Sequence, residues 1–223
     1  MSAKGIVLWS GGKDSALALH EARQQLEVVA LVTTVTEAYD RISMHGVRTA
    51  LLERQAHSLG LPVEKVLIPA PCCNADYESR MLVALEKFRT QGVSSVVCGD
   101  IFLQEVRAYR ENLLARAGLA GVFPLWDRDS HGLAHHFLAL GFRAVLCCVD
   151  SQALSTDFAG RSYDETLLAD LPSGADPCGE RGEFHTFVWD GPDFAQPVSH
   201  QTGARVLRDG RFWYCDLLND EER

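Results

Sequence analysis

Gly5-Ile6-Val7-Leu8-Trp9-Ser10-Gly11-Gly12-Lys13-Asp14-Ser15-Ala16-Leu17-Ala18-Leu19-His20-Glu21-Ala22 decides the fold. Residues 5–9 form a short apolar run rich in β-favouring side chains. Residues 16–22 are good helix formers. Ser10-Gly11-Gly12 lies between them, where glycines let the backbone turn tightly and bring its N–H groups close to an anion. A helix start adds free N–H donors and the favourable end of the dipole. Lys13 can reach a phosphate as a point charge, and Ser10 and Ser15 offer hydroxyls. A strand, this loop and a helix together read as a phosphate cradle.

Two familiar cradles do not fit. A Walker A loop needs a glycine where Val7 stands and a Ser or Thr directly after the lysine, where Asp14 stands. The dinucleotide pattern G-x-G-x-x-G is absent as well. Ser10-Gly11-Gly12-Lys13-Asp14-Ser15 instead resembles the pyrophosphate loop (PP-loop) of the adenine-nucleotide alpha hydrolases. That resemblance implies a grip on the β,γ-pyrophosphate of ATP and attack of a substrate on the α-phosphorus, giving an adenylate.

Working outward, strand-like and helix-like segments alternate, which predicts an α/β fold with a mostly parallel, doubly wound, Rossmann-like sheet. Strands are expected at 28–35, 63–68, 94–98 and 143–149, the last as the fifth strand of that sheet. Helices are expected at 47–59, 76–91, 105–117 and 130–140, each ended by a glycine. Beyond 150 the rhythm changes to a short helix at 164–171, a loop, and strands at 184–188, 198–207 and 212–217. Asp209-Gly210 signals a hairpin between the last two. Residues 1–150 are therefore expected to form the nucleotide-binding domain, and 151–223 a smaller mixed α+β part. Ligands of open parallel sheets bind at the carboxyl ends of the strands, which the smaller part is expected to cover.

The 223 residues are 47% hydrophobic, enough for a sizeable core, and carry a formal charge of −9. That charge argues against a broad nucleic-acid or membrane-surface footprint. No apolar run reaches the length of a membrane span, and no signal peptide precedes the first strand, so a cytoplasmic protein is expected. The seven cysteines (Cys72, Cys73, Cys98, Cys147, Cys148, Cys178 and Cys215) form no C-x-x-C pair and are expected as free thiols. His131 and His135 stand four apart on one helix, but Gly132 occupies the place of the Glu in H-E-x-x-H, so they are not read as metal ligands. His20, Trp126 and Trp213 are read as packing or surface residues, and 220–223 as a solvated acidic tail.

The second strong signal is Asp176-Pro177-Cys178-Gly179-Glu180-Arg181-Gly182-Glu183-Phe184-His185-Thr186-Phe187-Val188-Trp189-Asp190-Gly191-Pro192. Glycines flank two carboxylates, and a strand then opens on a His-Thr pair. Glu183 is a candidate for binding Mg²⁺ or steering ammonia, and His185 for carrying a proton near neutral pH. Solvation of Glu180 and Arg181 in a polar loop is the competing reading.

The run from Gly179 to Pro192 resembles the signature of the diphthine–ammonia ligase family, also called the ATP-binding diphthamide synthase domain. Ser43-Met44-His45-Gly46, Gly99-Asp100-Ile101 with Arg107 and Gly118-Leu119, and Pro124-Leu125-Trp126 resemble further stretches of it, so the likeness spans about residues 5–192. The resemblance implies that ATP adenylates a carboxylate, pyrophosphate leaves, and ammonia displaces AMP to form an amide. By motif, Ser10, Gly11, Gly12, Lys13, Asp14 and Ser15 would hold the pyrophosphate, with Asp14 also touching Mg²⁺. Ser43, Met44, His45, Gly99 and Asp100 would lie near the nucleotide. Arg107, Glu180, Glu183, His185 and Thr186 would face the acyl substrate or ammonia, with Lys13, Asp14, Glu183 and His185 as the catalytic set. ATP and Mg²⁺ are the implied cofactors. The implied partner is a carboxylate, carried on elongation factor two in a true diphthamide enzyme, and a homodimer is admitted. Arg41-Ile42-Ser43-Met44-His45-Gly46 departs from the aromatic-rich segment expected in eukaryotic and archaeal members, which leaves the acyl substrate open. Two other classes share the loop: tRNA-thiolating or lysidine-type enzymes, and non-catalytic nucleotide-binding modules. The acidic charge and missing C-x-x-C speak against the first, and the complete loop against the second.

Overall fold

The structure, a computed structural model, describes residues 2–219; the acidic tail expected at 220–223 lies outside them. The chain runs β1 (Lys4–Leu8), α1 (Lys13–Ala22), β2 (Glu27–Thr36), β3 (Arg41–Ile42), α2 (Thr49–Ser58), β4 (Val63–Ile68), α3 (Asn74–Thr90), β5 (Ser95–Val97), α4 (Gln104–Arg116) and β6 (Ala120–Val122). It continues as α5 (Ser130–Ala139), β7 (Arg143–Asp150), β8 (Ser162–Tyr163), α6 (Glu165–Asp170), β9 (Phe184–Asp190), β10 (Gln201–Arg208) and β11 (Phe212–Leu218).

Five strands pair in parallel in the order β4-β2-β1-β5-β6, and two-residue β3 pairs antiparallel with the end of β2. Neighbouring side chains on a strand face opposite ways. Ile6 of β1 and Ala30 of β2 therefore join the core beneath α3 and α4, with Met81, Leu85, Phe88, Leu113 and Leu114. Val7 and Leu31 join the core on the other face, with Leu17, Leu51 and Leu52 of α1 and α2. Helices on both faces make the sheet doubly wound, as the alternation predicts. The chain builds outward from β1 through β2 to β4, then returns to add β5 and β6 on the other side. That reversal opens a crevice at the carboxyl ends of β1 and β5, where ligands of such sheets bind.

The second sheet is antiparallel, in the order β10-β11-β7-β8, with β9 also paired to β7. β7 is thus not the fifth parallel strand; three-residue β6 takes that place. The apolar run of β7 reads as a doubly buried parallel strand, and it is buried on both faces, but as the centre of the second sheet. Ala120-Gly121-Val122 is too short and glycine-interrupted to announce a strand. The expected hairpin is present: Asp209-Gly210-Arg211 joins the strands, Asp209 and Gly210 both hold positive φ (52° and 63°), and Arg211 N–H donates to the Arg208 carbonyl (3.0 Å).

Gln55 of α2, fully buried, ties the sheets together. Its Oε1 accepts the Trp9 indole N–H (3.1 Å), and its Nε2 donates to the carbonyls of Gly11 (3.0 Å) and Val188 of β9 (2.6 Å). Gln55→Leu would strand the indole N–H and the Val188 carbonyl, at roughly 1–3 kcal/mol each. We expect urea unfolding to report a loss in that range or its double; an unchanged midpoint would refute the clasp.

Candidate active site

The Ser10–Ser15 loop is shaped by two glycines that tolerate no side chain. Gly11 holds φ +77°, and a Cβ there would stand 2.6 Å from Gln55 Oε1. A Cβ on Gly12 would stand 2.8 Å from the His45 ring. Ser15 Oγ donates to the Gly12 carbonyl (2.9 Å), lies 3.2 Å from Ser10 Oγ, and Ser10 Oγ accepts the Gly12 N–H (3.3 Å). β9 closes the loop from the far side. Val188 N–H donates to the Gly11 carbonyl (2.8 Å), and Lys13 N–H donates to Thr186 Oγ1 (3.0 Å). Gly99, after β5, packs against the Asp14 backbone so closely that a Cβ would stand 2.8 Å from the Asp14 carbonyl carbon.

Lys13 is only 4% exposed. Its Nζ donates to both Asp14 carboxylate oxygens at 2.8 Å and to the Cys178 carbonyl, and lies over the rings of Phe184 and Tyr163. Burial opposes the charge on Lys13, but Asp14, followed by Cys178 and Asp176, outweighs it and holds the amine above its usual range. Burial lifts the Asp14 carboxyl, and Lys13 pulls it part of the way back.

Lys13, Asp14, Ser10 and Ser15 line a cavity of about 220 Å³ whose other walls include Gly99 and Asp100 after β5, His45, and Glu180, His185 and Thr186 of the second sheet's side. Glu180 Oε1 accepts the N–H groups of Ile101 (2.8 Å) and Phe102 (3.3 Å). Burial, helped by Asp14 and Asp100, pushes its carboxyl up to about 7 against those two amides. The rings of His45 and His185 lie 4.5 Å apart, and His45 Nδ1–H donates to the Thr186 carbonyl (3.1 Å). Burial, with Lys13 adding to it, lowers His45 to about 4. Burial, then His45 and Lys13, holds His185 well below its ordinary value. Both imidazoles are neutral near pH 7, so His185 does not titrate where a neutral-pH proton carrier must.

Several expected residues stand elsewhere. Glu183 is buried and absent from the cavity wall: its oxygens accept the backbone N–H groups of Asp176 (2.9 Å) and Arg181 (3.0 Å), bracing the turn that presents Glu180. Met44 is 65% exposed, at φ +65°, and lines a separate cavity beside Tyr214, whose hydroxyl donates to its carbonyl (3.2 Å). Arg107 lies over the rings of Trp126 and Phe123, 4.5 and 4.7 Å from their centroids, and pairs with Glu111 (2.8 Å). Ser43 lines a smaller neighbouring cavity of about 120 Å³, with Trp9, Val32, Thr34, Tyr77 and Met81. Arg110, which sequence reasoning missed, borders both cavities. Only its place in α4, one turn beyond Arg107, could have signalled it.

Among the described residues, no three His, Cys, Asp or Glu side chains form a ready metal cage, and no helix is long and apolar enough to cross a membrane. All seven cysteines are free thiols. Asp100 Oδ2 is buried and accepts no hydrogen bond, having only an off-line contact with Arg110 Nε at 2.7 Å.

Residues 3–121 match the diphthamide synthase N-terminal domain, and residues 129–216 match the diphthamide synthase C-terminal domain. The chain belongs to the diphthamide synthase family. It is 29% identical over 215 residues to a diphthine–ammonia ligase of Schizosaccharomyces pombe, covering 87% of this chain but 36% of that protein. It thus spans about a third of that relative's length. It is 27% identical over 216 residues to a diphthine–ammonia ligase of Danio rerio, covering 86% and 84%. A solved structure described as a predicted subunit of tRNA methyltransferase from Methanocaldococcus jannaschii superposes on 63% of this chain and 77% of its own, at 17% identity and TM-score 0.43, too loosely to inform function. The two diphthamide synthase domains meet at the cavity: the first supplies the Ser10–Ser15 loop, the second Glu180, His185 and Thr186.

A glutamine at 183 would keep one acceptor oxygen and turn an amide NH₂ against a backbone N–H. We expect Glu183→Gln to lose roughly 1–3 kcal/mol of stability by urea unfolding. An unchanged stability would contradict the bracing role.

Proposed function

We propose that this protein is an ATP-dependent ligase of the diphthine–ammonia ligase type, which adenylates a carboxylate and then converts it to an amide with ammonia. The observation that carries this is one cavity walled both by the Ser10–Ser15 loop and by Glu180 of the distant Gly-Glu-Arg-Gly-Glu block. The names of the relatives make diphthine the first candidate substrate.

In the proposed reaction a carboxylate oxygen attacks the α-phosphorus, the bond from that phosphorus to the pyrophosphate oxygen breaks, and pyrophosphate leaves. The glycine loop, Lys13 and the two serines hold the β- and γ-phosphates at the start of α1. The cavity lined by Trp9, Val32, Tyr77 and Met81 has the apolar and aromatic walls that a nucleoside needs. Asp14 and Asp100, both on the cavity wall, are the carboxylates that would hold Mg²⁺, which uses one or two of them together with phosphate oxygens and would neutralise phosphate charge there. Ammonia then attacks the acyl carbon, the carbon–oxygen bond to AMP breaks, and the nitrogen sheds one proton. Glu180, with its carboxyl near 7, is the residue matched to accept it.

The deciding experiment incubates the protein with ATP, Mg²⁺, ammonium and diphthine-bearing elongation factor two or a panel of free acids. AMP and pyrophosphate are expected in equal amounts; ADP and phosphate would overturn the proposal. The pH dependence has a definite sign. At fixed free ammonia, amide formation should rise as Glu180 loses its proton, through about pH 7, and level off above it. Glu180→Gln should lack that limb; a limb that persists would take Glu180 out of the second step.

A further inference from the structure

Arg110 occupies a place that no other cation shares. Among the described residues lining the two adjoining cavities, the only other Lys or Arg is Lys13, which belongs to the phosphate loop. Arg110 borders both the polar cavity of that loop and the apolar one of Trp9, Val32 and Tyr77. A molecule with its pyrophosphate in the first and its nucleoside in the second must pass the border with the group that joins them. That group is the α-phosphate.

We infer that Arg110 grips the α-phosphate and is a catalytic residue of adenylation, a role that rests on the nucleotide reading above. Its side chain is held ready by Asp100, after β5, which takes its Nε at 2.9 Å, and Tyr77 of α3 lines the apolar cavity with it. Five N–H donors on a rigid planar fork leave enough for two phosphate oxygens after Asp100 is served. Negative charge on the α-phosphate oxygens grows as the phosphorus becomes five-coordinate, and a pre-positioned donor stabilises that charge without reorganising. Arg107 has no such place: it lies over the rings of Trp126 and Phe123, pairs with Glu111, and lines neither cavity.

Binding and turnover test this separately in the full chain. The first readout is the affinity for AMP, whose one phosphate is the α-phosphate, against that for adenosine, which has none. Arg110→Ala should weaken AMP by about 10- to 100-fold and leave adenosine within about twofold. The second is ATP–pyrophosphate exchange, which reads adenylation alone. Arg110→Ala should slow it by about 100- to 1,000-fold. Arg110→Lys should recover only part of the loss, since a point charge does not span two oxygens. Arg107→Ala should leave both readouts within about twofold, and circular dichroism melting checks that each variant is folded; Arg110→Gln replaces any that is not. Equal AMP affinity in wild type and Arg110→Ala, or an Arg107→Ala variant that carries the loss, would overturn the assignment. Weaker AMP binding with undiminished exchange would refute the catalytic role. Should the wild type yield ADP and phosphate, the proposed reaction fails, while the AMP-against-adenosine comparison still judges Arg110.

Discussion

The carbonyl of Gly11 accepts hydrogen bonds from the Val188 N–H of β9 and the Gln55 side chain of α2, and the rest of the site depends on that pair of hydrogen bonds. A phosphate loop left to itself is a glycine-rich turn with many accessible conformations. Here it is wedged between α2 on one side and a strand of the second sheet on the other. Lys13 N–H on Thr186, His45 on the Thr186 carbonyl, and Lys13 Nζ on the Cys178 carbonyl extend the same seam. The second sheet is therefore part of the cradle rather than an appendage to it. Its core is continuous with that beneath α1 and α2, so apolar burial holds the clamp in register.

Charge balance follows from this closure. Sealing the loop buries Lys13, which burial alone would neutralise; the adjacent Asp14 keeps it charged. The same sealing drives the His45 and His185 imidazoles to their neutral forms and lifts Glu180 toward neutrality. One side of the cavity thus holds the cations Lys13 and Arg110, and the other holds neutral rings and a carboxyl that can exchange a proton. The polar block between Asp176 and Glu183 contributes this second side because its backbone is stitched to its own carboxylates, leaving Glu180 free to face the cavity.

Where sequence and structure differ, the cause is directional. In the Gly-Glu-Arg-Gly-Glu block, two glutamates three apart look equivalent on paper. Gly179 and Gly182, both at positive φ, turn the backbone so that Glu183 points back into the turn and Glu180 points across to Ile101 and Phe102. On α4, Arg107 and Arg110 differ by one helical turn, and their neighbours, Trp126 for one and Asp100 for the other, come from loops distant in sequence. Met44 and His45 are adjacent, yet the positive φ of Met44 sends one outward and the other over Gly12. β7 misleads for the same reason: an apolar run says that both faces are covered, but not by which sheet.

The sequence by itself determined the parallel doubly wound sheet, the loop after its first strand, the hairpin at Asp209-Gly210 and the family signature. Each of these is written in short-range chemistry: periodicity, a glycine where φ must be positive, a lysine beside a helix start. Only the tertiary structure decided that β7 belongs to the second sheet, that Glu180 rather than Glu183 faces the cavity, and that Arg110 rather than Arg107 stands at its border. The physical reason is that the direction and protonation of these side chains depend on burial by segments far away along the chain, and burial is a property of the packed whole.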